Sequence, residues 1–484
     1  MSLRKQAISG IKWTFLQQLS IQLISFLVQI VLARLLMPEE FGLIAMIVVF
    51  ISMGQTLTDS GMTSSLIRSE APKQVDYSTV FITNLLASCF IYCCIYFSAP
   101  YIATFYNQSV LVEILRVFAL TFVFRALYAV HIAKLTKEMN FKLQMKLQIP
   151  STIIAGCIAM YLAQIGFGVW SLVWLNLIQV ITSATLYWFF VDWKPSLVYD
   201  IKRFKFHFIF GYKLTLSSLL DTAYTNSYRI IIGKSFSPAI AGYYNLAETM
   251  RLFPVQQISA VIGKVTYPLF ANISDDERLK KIYCISMKLV LVIVIPVMLS
   301  LILVAEEGFR FVFGDHWLFA VPFFQILALA SIVRPISSYN LNILKVKGRS
   351  DLFLRLEIIK KILGVFAIII GLSFGIIGLV ISATVHFYIT VIIDMHFSGR
   401  LISYYFKEQL GDIYHLFLIA AMIFLILYYV KTYSGSFLHN DAVVIFTFIL
   451  AFNLLYLTAA LIIDRSLWAV IKSIVKNKQS LITP

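Results

Sequence analysis

Apolar runs of about twenty residues recur from one end of this chain to the other. A helix needs about 20 mostly apolar residues to cross a bilayer. Fourteen such runs are read here, at 11–36, 40–58, 77–99, 110–132, 147–166, 169–190, 208–232, 240–264, 282–304, 321–344, 352–372, 375–397, 413–431 and 441–463. In hydrocarbon every backbone N–H and C=O needs a partner inside the protein, and runs of this length satisfy that as α-helices. Composition agrees: 13% of residues are charged and 60% hydrophobic, where a soluble domain carries about 25% charge. The expected fold is all-α and integral to the membrane, with no soluble domain left over. The basic start, MSLRKQAISGIKW, leads into a run that continues to Leu36 with no small-residue cleavage site, so it is read as the first span.

Two stretches 200 residues apart repeat one theme. Residues 31–45 read VLARLLMPEEFGLIA and residues 231–245 read IIGKSFSPAIAGYYN. Arg34 falls on Lys234, Pro38 on Pro238 and Gly42 on Gly242. GVWSLV at 168–173 is echoed by GIIGLV at 375–380. Internal duplication of an apolar chain is a common transporter plan, with the substrate path between the copies. The division expected is a six-helix lobe at 1–190, a linker at 191–207, a second six-helix lobe at 208–397, and two further helices with a basic tail at 398–484.

Lysine and arginine set the orientation. With the N-terminus in the cytoplasm, the inner loops hold Arg68, Lys73, Lys134, Lys137, Lys142, Lys146, Lys194, Lys202, Arg203, Lys205, Arg278, Lys280, Lys281, Lys345, Lys347, Arg349, Arg400 and Lys407. The tails add Arg4, Lys5, Arg465, Lys472, Lys476 and Lys478, whereas the outer loops hold little beyond Arg34, Lys234, Arg310 and Lys431. The net charge of +16 is thereby assigned to anionic lipid on the cytoplasmic face, not to nucleic acid. An even number of spans puts both termini inside, and it makes the two lobes parallel. Residues 200–207 are read either as a surface amphipathic helix or as solvated linker.

Ionisable groups at membrane depth cost about 2.5–3.5 kcal/mol each on insertion scales and persist beside a wet cavity or a partner. The candidate cations inside spans are Arg116, Arg125, Arg229, Arg251, Lys288, Arg334, Arg355, Lys360 and Lys361; the candidate anions are Asp221, Glu248 and Glu357. Mutual pairing does not neutralise nine against three, which points to an anionic passenger. Arg334 stands out, mid-span beside Pro335. In the first run Gln18, Gln22, Ser25 and Gln29 share one helical face. Ser217, Ser218, Asp221, Thr222, Thr225 and Asn226 cluster polar groups in the seventh run. Carboxamides both donate and accept, as sugar hydroxyls do. The expected cavity set is Gln18, Gln22, Arg125, Asp221, Asn226, Arg229, Glu248, Arg251, Arg334 and Lys360. The five cysteines and seven histidines form no metal-binding spacing, and no catalytic motif, metal or cofactor is expected.

The motifs WTFLQQLSIQLISFLVQIVLARLLMPEEFGLIAM, DSGMTSSLIRSE, YSTVFITN, IGFGVWSLV and AGYYNLAETMRLFPVQQISAVIGKVTYPLF resemble those of Wzx-type polysaccharide exporters. That family is related to the colanic acid exporter and lies in the multidrug/oligosaccharidyl-lipid/polysaccharide superfamily. The resemblance covers roughly residues 10–380. It implies two six-helix lobes around a cavity. It also implies flipping of an undecaprenyl-diphosphate-linked oligosaccharide across a bacterial inner membrane, with membrane lipids, a polymerase and glycosyltransferases as pathway neighbours. A drug or cation antiporter on the same fold would call for acidic cavity residues. A membrane glycosyltransferase or polymerase would call for a catalytic carboxylate or a large outer loop, and the longest outer loop, near 305–320, has under 20 residues. The topology is checked with reporter fusions after Lys205 and at the C-terminus, both expected to be active only for a cytoplasmic reporter. Periplasmic activity at either point would break the fourteen-span reading.

Overall fold

The computed structural model describes the backbone of residues 3–271, 273, 275–434, 440–464 and 467–468, with side chains from Gly10 onward except 11, 256–269, 271 and 434. The basic side chains read at Arg4, Lys5, Arg465, Lys472, Lys476 and Lys478 lie outside the described residues. Among the described residues the regular elements are helices, without strands. All fourteen predicted runs fall on helices, and among the described residues ten helices are long and apolar enough to cross a membrane by length and composition. The runs at 110–132, 208–232, 240–264 and 352–372 are helical but fall outside those ten. The chain forms two compact units, Met1–Asn245 and Leu246–Pro484. Contacts therefore divide the chain about forty residues beyond the linker that separates the sequence repeats.

The first unit contains α1 (Leu3–Leu35), α2 (Pro38–Asp59), α3 (Met62–Arg68), α4 (Gln74–Tyr106), α5 (Leu111–Phe118), α6 (Leu120–Lys137), α7 (Phe141–Gln164), α8 (Val169–Phe190), α9 (Ile201–Thr225), α10 (Ser227–Ser235) and the opening turns of α11 (Pro238–Ala271). The repeated motif is a helix-start signal. Pro38 opens α2, where its missing N–H costs nothing, and the Glu40 carboxylate accepts from the Met37 N–H at 2.7 Å. Pro238 opens α11 in the same way, with the Ser237 hydroxyl oxygen accepting from the Ile240 N–H at 3.4 Å. Lys234 donates to the Phe105 carbonyl at 2.6 Å and so caps the end of α4.

The two copies of the motif lie against each other. A methyl on Gly42 would stand 1.7 Å from the Pro238 carbonyl oxygen, and one on Gly242 would stand 1.9 Å from the Pro38 carbonyl oxygen. Each residue meets the counterpart of the residue that meets it, which is the signature of a local two-fold relation. Pro38 and Pro238 thus lie side by side at the same end of the unit. At the other end of α2, against the middle of α9, a methyl on Gly211 would stand 2.1 Å from the Ser60 carbonyl oxygen.

Residues 191–200 are not solvated linker. The Trp193 indole N–H donates to the Gln74 carboxamide at 2.7 Å, and Gln74 donates in turn to the Lys194 carbonyl at 2.8 Å. The Ser196 and Asp200 N–H groups donate to Ser78 and Thr79. The strap closes over an apolar cluster that includes Phe81, Tyr128, Tyr187 and Trp193. Residues 201–207 are likewise no separate surface helix. They are the first turns of α9, capped by Asp200, and His207 is buried between Ser65 (2.8 Å) and Asp76 (3.2 Å).

The second unit continues with α12 (Asp276–Leu303), α13 (Ala305–Phe313), α14 (Val321–Val346), α15 (Ser350–Leu372), α16 (Gly375–Gly399), α17 (Phe406–Ser434) and α18 (Asp441–Ile463). α14 packs between α12 and α16. The two additional helices, α17 and α18, dock on α12 and on each other. Tyr283 is the hub of an aromatic core, with Phe270, Tyr339 and Tyr404 at centroid distances of 6.1, 5.9 and 5.7 Å.

The glycine contact yields a stability test. Gly42→Ala and Gly242→Ala should each cost about 1–3 kcal/mol, because the new methyl meets backbone that no rotamer change moves. Gly308→Ala, with nothing within 4 Å of the added carbon, should be neutral or slightly stabilising. Thermal midpoints of the purified proteins check this; native midpoints for both motif variants would deny the close approach.

Candidate functional site

The first unit encloses a pocket of about 770 Å³ to which each helix from α1 to α9 contributes lining residues. Ligand pockets typically span about 300–1,000 Å³. Its walls combine Ser/Thr hydroxyls and carboxamides with apolar side chains, and Arg125 and Asp59 are among the lining groups. On α8, Asn176, Gln179 and Ser183 sit at i, i+3 and i+7, one helical face. On α9, Ser218 and Thr222 face the same space, four residues apart. Arg125 donates to the Gln55 carboxamide oxygen at 3.2 Å, while Asp59 is held by the Thr63 hydroxyl at 2.6 Å. Asn84 lies in the wall, 1% exposed, and neither end of its amide has a partner.

The predicted residues are distributed as follows. In the first run the inward amide is Gln17, which donates to Gln148 at 2.7 Å; Gln18 is exposed and Gln22 half-buried. The face that packs on α7 is therefore one residue off the predicted stripe. Asp221 is exposed. Asn226 ends α9, donates to the Thr222 carbonyl and accepts from Arg229 at 2.8 Å. None of these lines the pocket.

The second unit sorts its cations into paired and unpaired. Arg251 meets Glu248 through two bonds, at 2.6 and 2.7 Å, and donates to Ser331 at 3.2 Å. Lys360, 8% exposed, lies 3.1 Å from Asp394 and 2.5 Å from Glu357. Asp394 is fully buried and also accepts from Ser337 at 2.6 Å. Lys360 is thus enclosed in ion pairs, and Asp394, inside the predicted run 375–397, was missing from the anion count. Lys288 does not snorkel to water: it is buried 3.0 Å from Asp464, which His415 also approaches at 3.1 Å. Arg334 differs. It is half-buried in α14, within electrostatic range of the Arg251–Glu248 pair, and makes no ion pair within 4 Å among the described residues. In the first unit Arg125 likewise makes no ion pair within 4 Å among the described residues; its hydrogen-bond partner is the neutral Gln55, and the Asp59 carboxylate lies within electrostatic range. Among the described residues no three His, Cys, Asp or Glu side chains gather as a metal site.

Long apolar helices, an intramembrane polar pocket and unmatched cations define a multi-pass membrane transporter rather than an enzyme. The chain belongs to the polysaccharide biosynthesis protein family, whose profile matches residues 31–322. Among its relatives are the teichuronic acid biosynthesis protein TuaB of Bacillus subtilis, 27% identical over 72% of this chain and 73% of that one, and the lipopolysaccharide biosynthesis protein WzxC of Escherichia coli, 25% identical over 87% and 85%. The succinoglycan biosynthesis transport protein ExoT of Rhizobium meliloti is 24% identical over 69% and 68%. In fold the chain is similar to the lipid II flippase MurJ in an inward closed conformation. The TM-score is 0.72 at 16% identity, covering 95% of this chain and 99% of that one. It is also similar to a multidrug resistance MATE family transporter of the MOP superfamily in an inward-facing conformation, with a TM-score of 0.63 at 17% identity over 79% and 94%.

The buried pair gives a second test. Lys360→Met leaves the Asp394 charge uncompensated and should cost about 3–5 kcal/mol. Adding Asp394→Leu should recover most of that loss, measured as thermal midpoint and membrane abundance. A single variant as stable as the native chain would mean that the pair does not hold α15 to α16.

Proposed function

We propose that this protein carries a lipid-linked oligosaccharide, the repeat unit of a surface polysaccharide on undecaprenyl diphosphate, from the cytoplasmic to the periplasmic leaflet of a bacterial inner membrane. Both termini lie in the cytoplasm. Transport proceeds by alternating access, and no bond in the passenger is made or broken. Glycosyltransferases supply the loaded carrier and a polymerase consumes the translocated unit.

The observation that carries this reading is Arg334, a guanidinium in a long apolar helix that makes no ion pair within 4 Å among the described residues. An unpaired cation there is costly, and a diphosphate offset by it satisfies both charges at once. Arginine also suits phosphate oxygens through its planar set of donors. Arg125 is the second cation of this kind. Arg251 and Lys360, enclosed by carboxylates, hold the helices that carry the site. Family membership and the names of TuaB, WzxC and ExoT support a polysaccharide pathway.

Arg334→Ala should insert and fold but reduce export of the surface polymer about tenfold or more, the loss of one charge-assisted contact to phosphate. Arg334→Lys should retain more activity, since it keeps the charge and loses only the fork geometry. The check is complementation of a flippase-deficient strain with membrane abundance measured in parallel. Full export by the Ala variant at normal abundance would assign Arg334 a structural role and remove the main support for this reading.

A further inference from the structure

We infer that the pocket of the first unit binds the uncharged sugar portion of the passenger and that Asn84 anchors it there; this deepens the flippase reading and rests on it. The lining chemistry selects the class of ligand. A phosphate calls for several cations, and Arg125 is the only one in the wall. A cationic drug calls for carboxylates, and Asp59 is the only one. An apolar molecule does not repay the desolvation of so many hydroxyls and amides. A sugar does, because each of its hydroxyls both donates and accepts, as carboxamides and Ser/Thr hydroxyls do.

Several of these amides are only half used. Asn176 donates to the Leu172 carbonyl at 3.0 Å and Gln179 to the Thr152 hydroxyl at 3.3 Å, and each leaves the other end of its carboxamide open among the described residues. Asn84 uses neither end, although it is almost wholly buried. Buried polar groups are nearly always paired, and an exception calls for an explanation. A ligand hydroxyl supplies one here.

Two probes separate the glycan from its carrier, using the full chain in lipid nanodiscs and calorimetry. The first is the oligosaccharide repeat released from the cell's own surface polymer, bearing neither lipid nor phosphate. The second is undecaprenyl diphosphate without sugar. Asn84→Leu and Gln179→Leu are each expected to weaken the first probe about tenfold or more and leave the second unchanged, as expected for loss of a hydrogen bond that leaves the ligand's partner unpaired. Arg334→Ala is expected to do the reverse. Asn84→Leu should also keep or raise the thermal midpoint, since it removes an amide that pairs with nothing in the protein; Gln179→Leu carries the test if that variant does not fold. Failure of the native chain to bind the first probe, or native affinity for it in both pocket variants, would overturn the assignment. Loss of first-probe binding in the pocket variants, together with undiminished undecaprenyl diphosphate binding by Arg334→Ala, would uphold the pocket and refute the diphosphate role of Arg334.

Discussion

A polar group without a partner in hydrocarbon is expensive, and most features of this molecule follow from that cost. It turns each apolar run into a helix, because helices satisfy their own backbone. It draws Lys360 to Asp394, Lys288 to Asp464 and Arg251 to Glu248. Each of these would be a liability alone, and each pair links two helices or two turns. Against that background the exceptions carry information. Among the described residues Arg334 and Arg125 make no ion pair within 4 Å, and the Asn84 amide has no hydrogen-bond partner.

The repeated proline–glycine motif does more than start two helices. Its copies touch, Gly42 on Pro238 and Gly242 on Pro38, so the duplication is expressed as a contact. Only glycine permits backbone to approach backbone this closely. The same contacts place α9, α10 and the start of α11 in the first compact unit, although the sequence repeat assigns them to the second copy. Contact and ancestry divide the chain at different points.

Charge and neutrality are partitioned in a way that suits a passenger with two chemistries. Phosphates call for cations, and sugars call for groups that donate and accept. On the reading proposed above, Arg334 would serve the first need and the pocket of the first unit the second. An antiporter for cations would invert this balance, yet the pocket offers a single carboxylate, and the buried carboxylates Asp394 and Asp464 are already bound to lysines.

Local periodicity is enough to read the all-helical membrane fold, and ordered local motifs carry the resemblance to the family, because both are written over neighbouring residues. It also identified Arg334 as unusual, since a mid-span arginine is costly wherever it faces. It did not tell Arg334 from Lys360. Both are cations in apolar runs, and what separates them is Asp394, 34 residues from Lys360 in sequence and 3.1 Å away in space. The pocket was missed for a related reason: Asn84, Gln148, Asn176 and Gln179 are isolated amides on separate helices, although the i, i+3, i+7 spacing of Asn176, Gln179 and Ser183 was a signal on α8. In helix α1 a one-residue rotation put Gln17, not Gln18, against α7. Sequence determines which groups must be paired or hydrated; only the packing of distant helices decides which of them are, because pairing energy depends on separation in space and not along the chain.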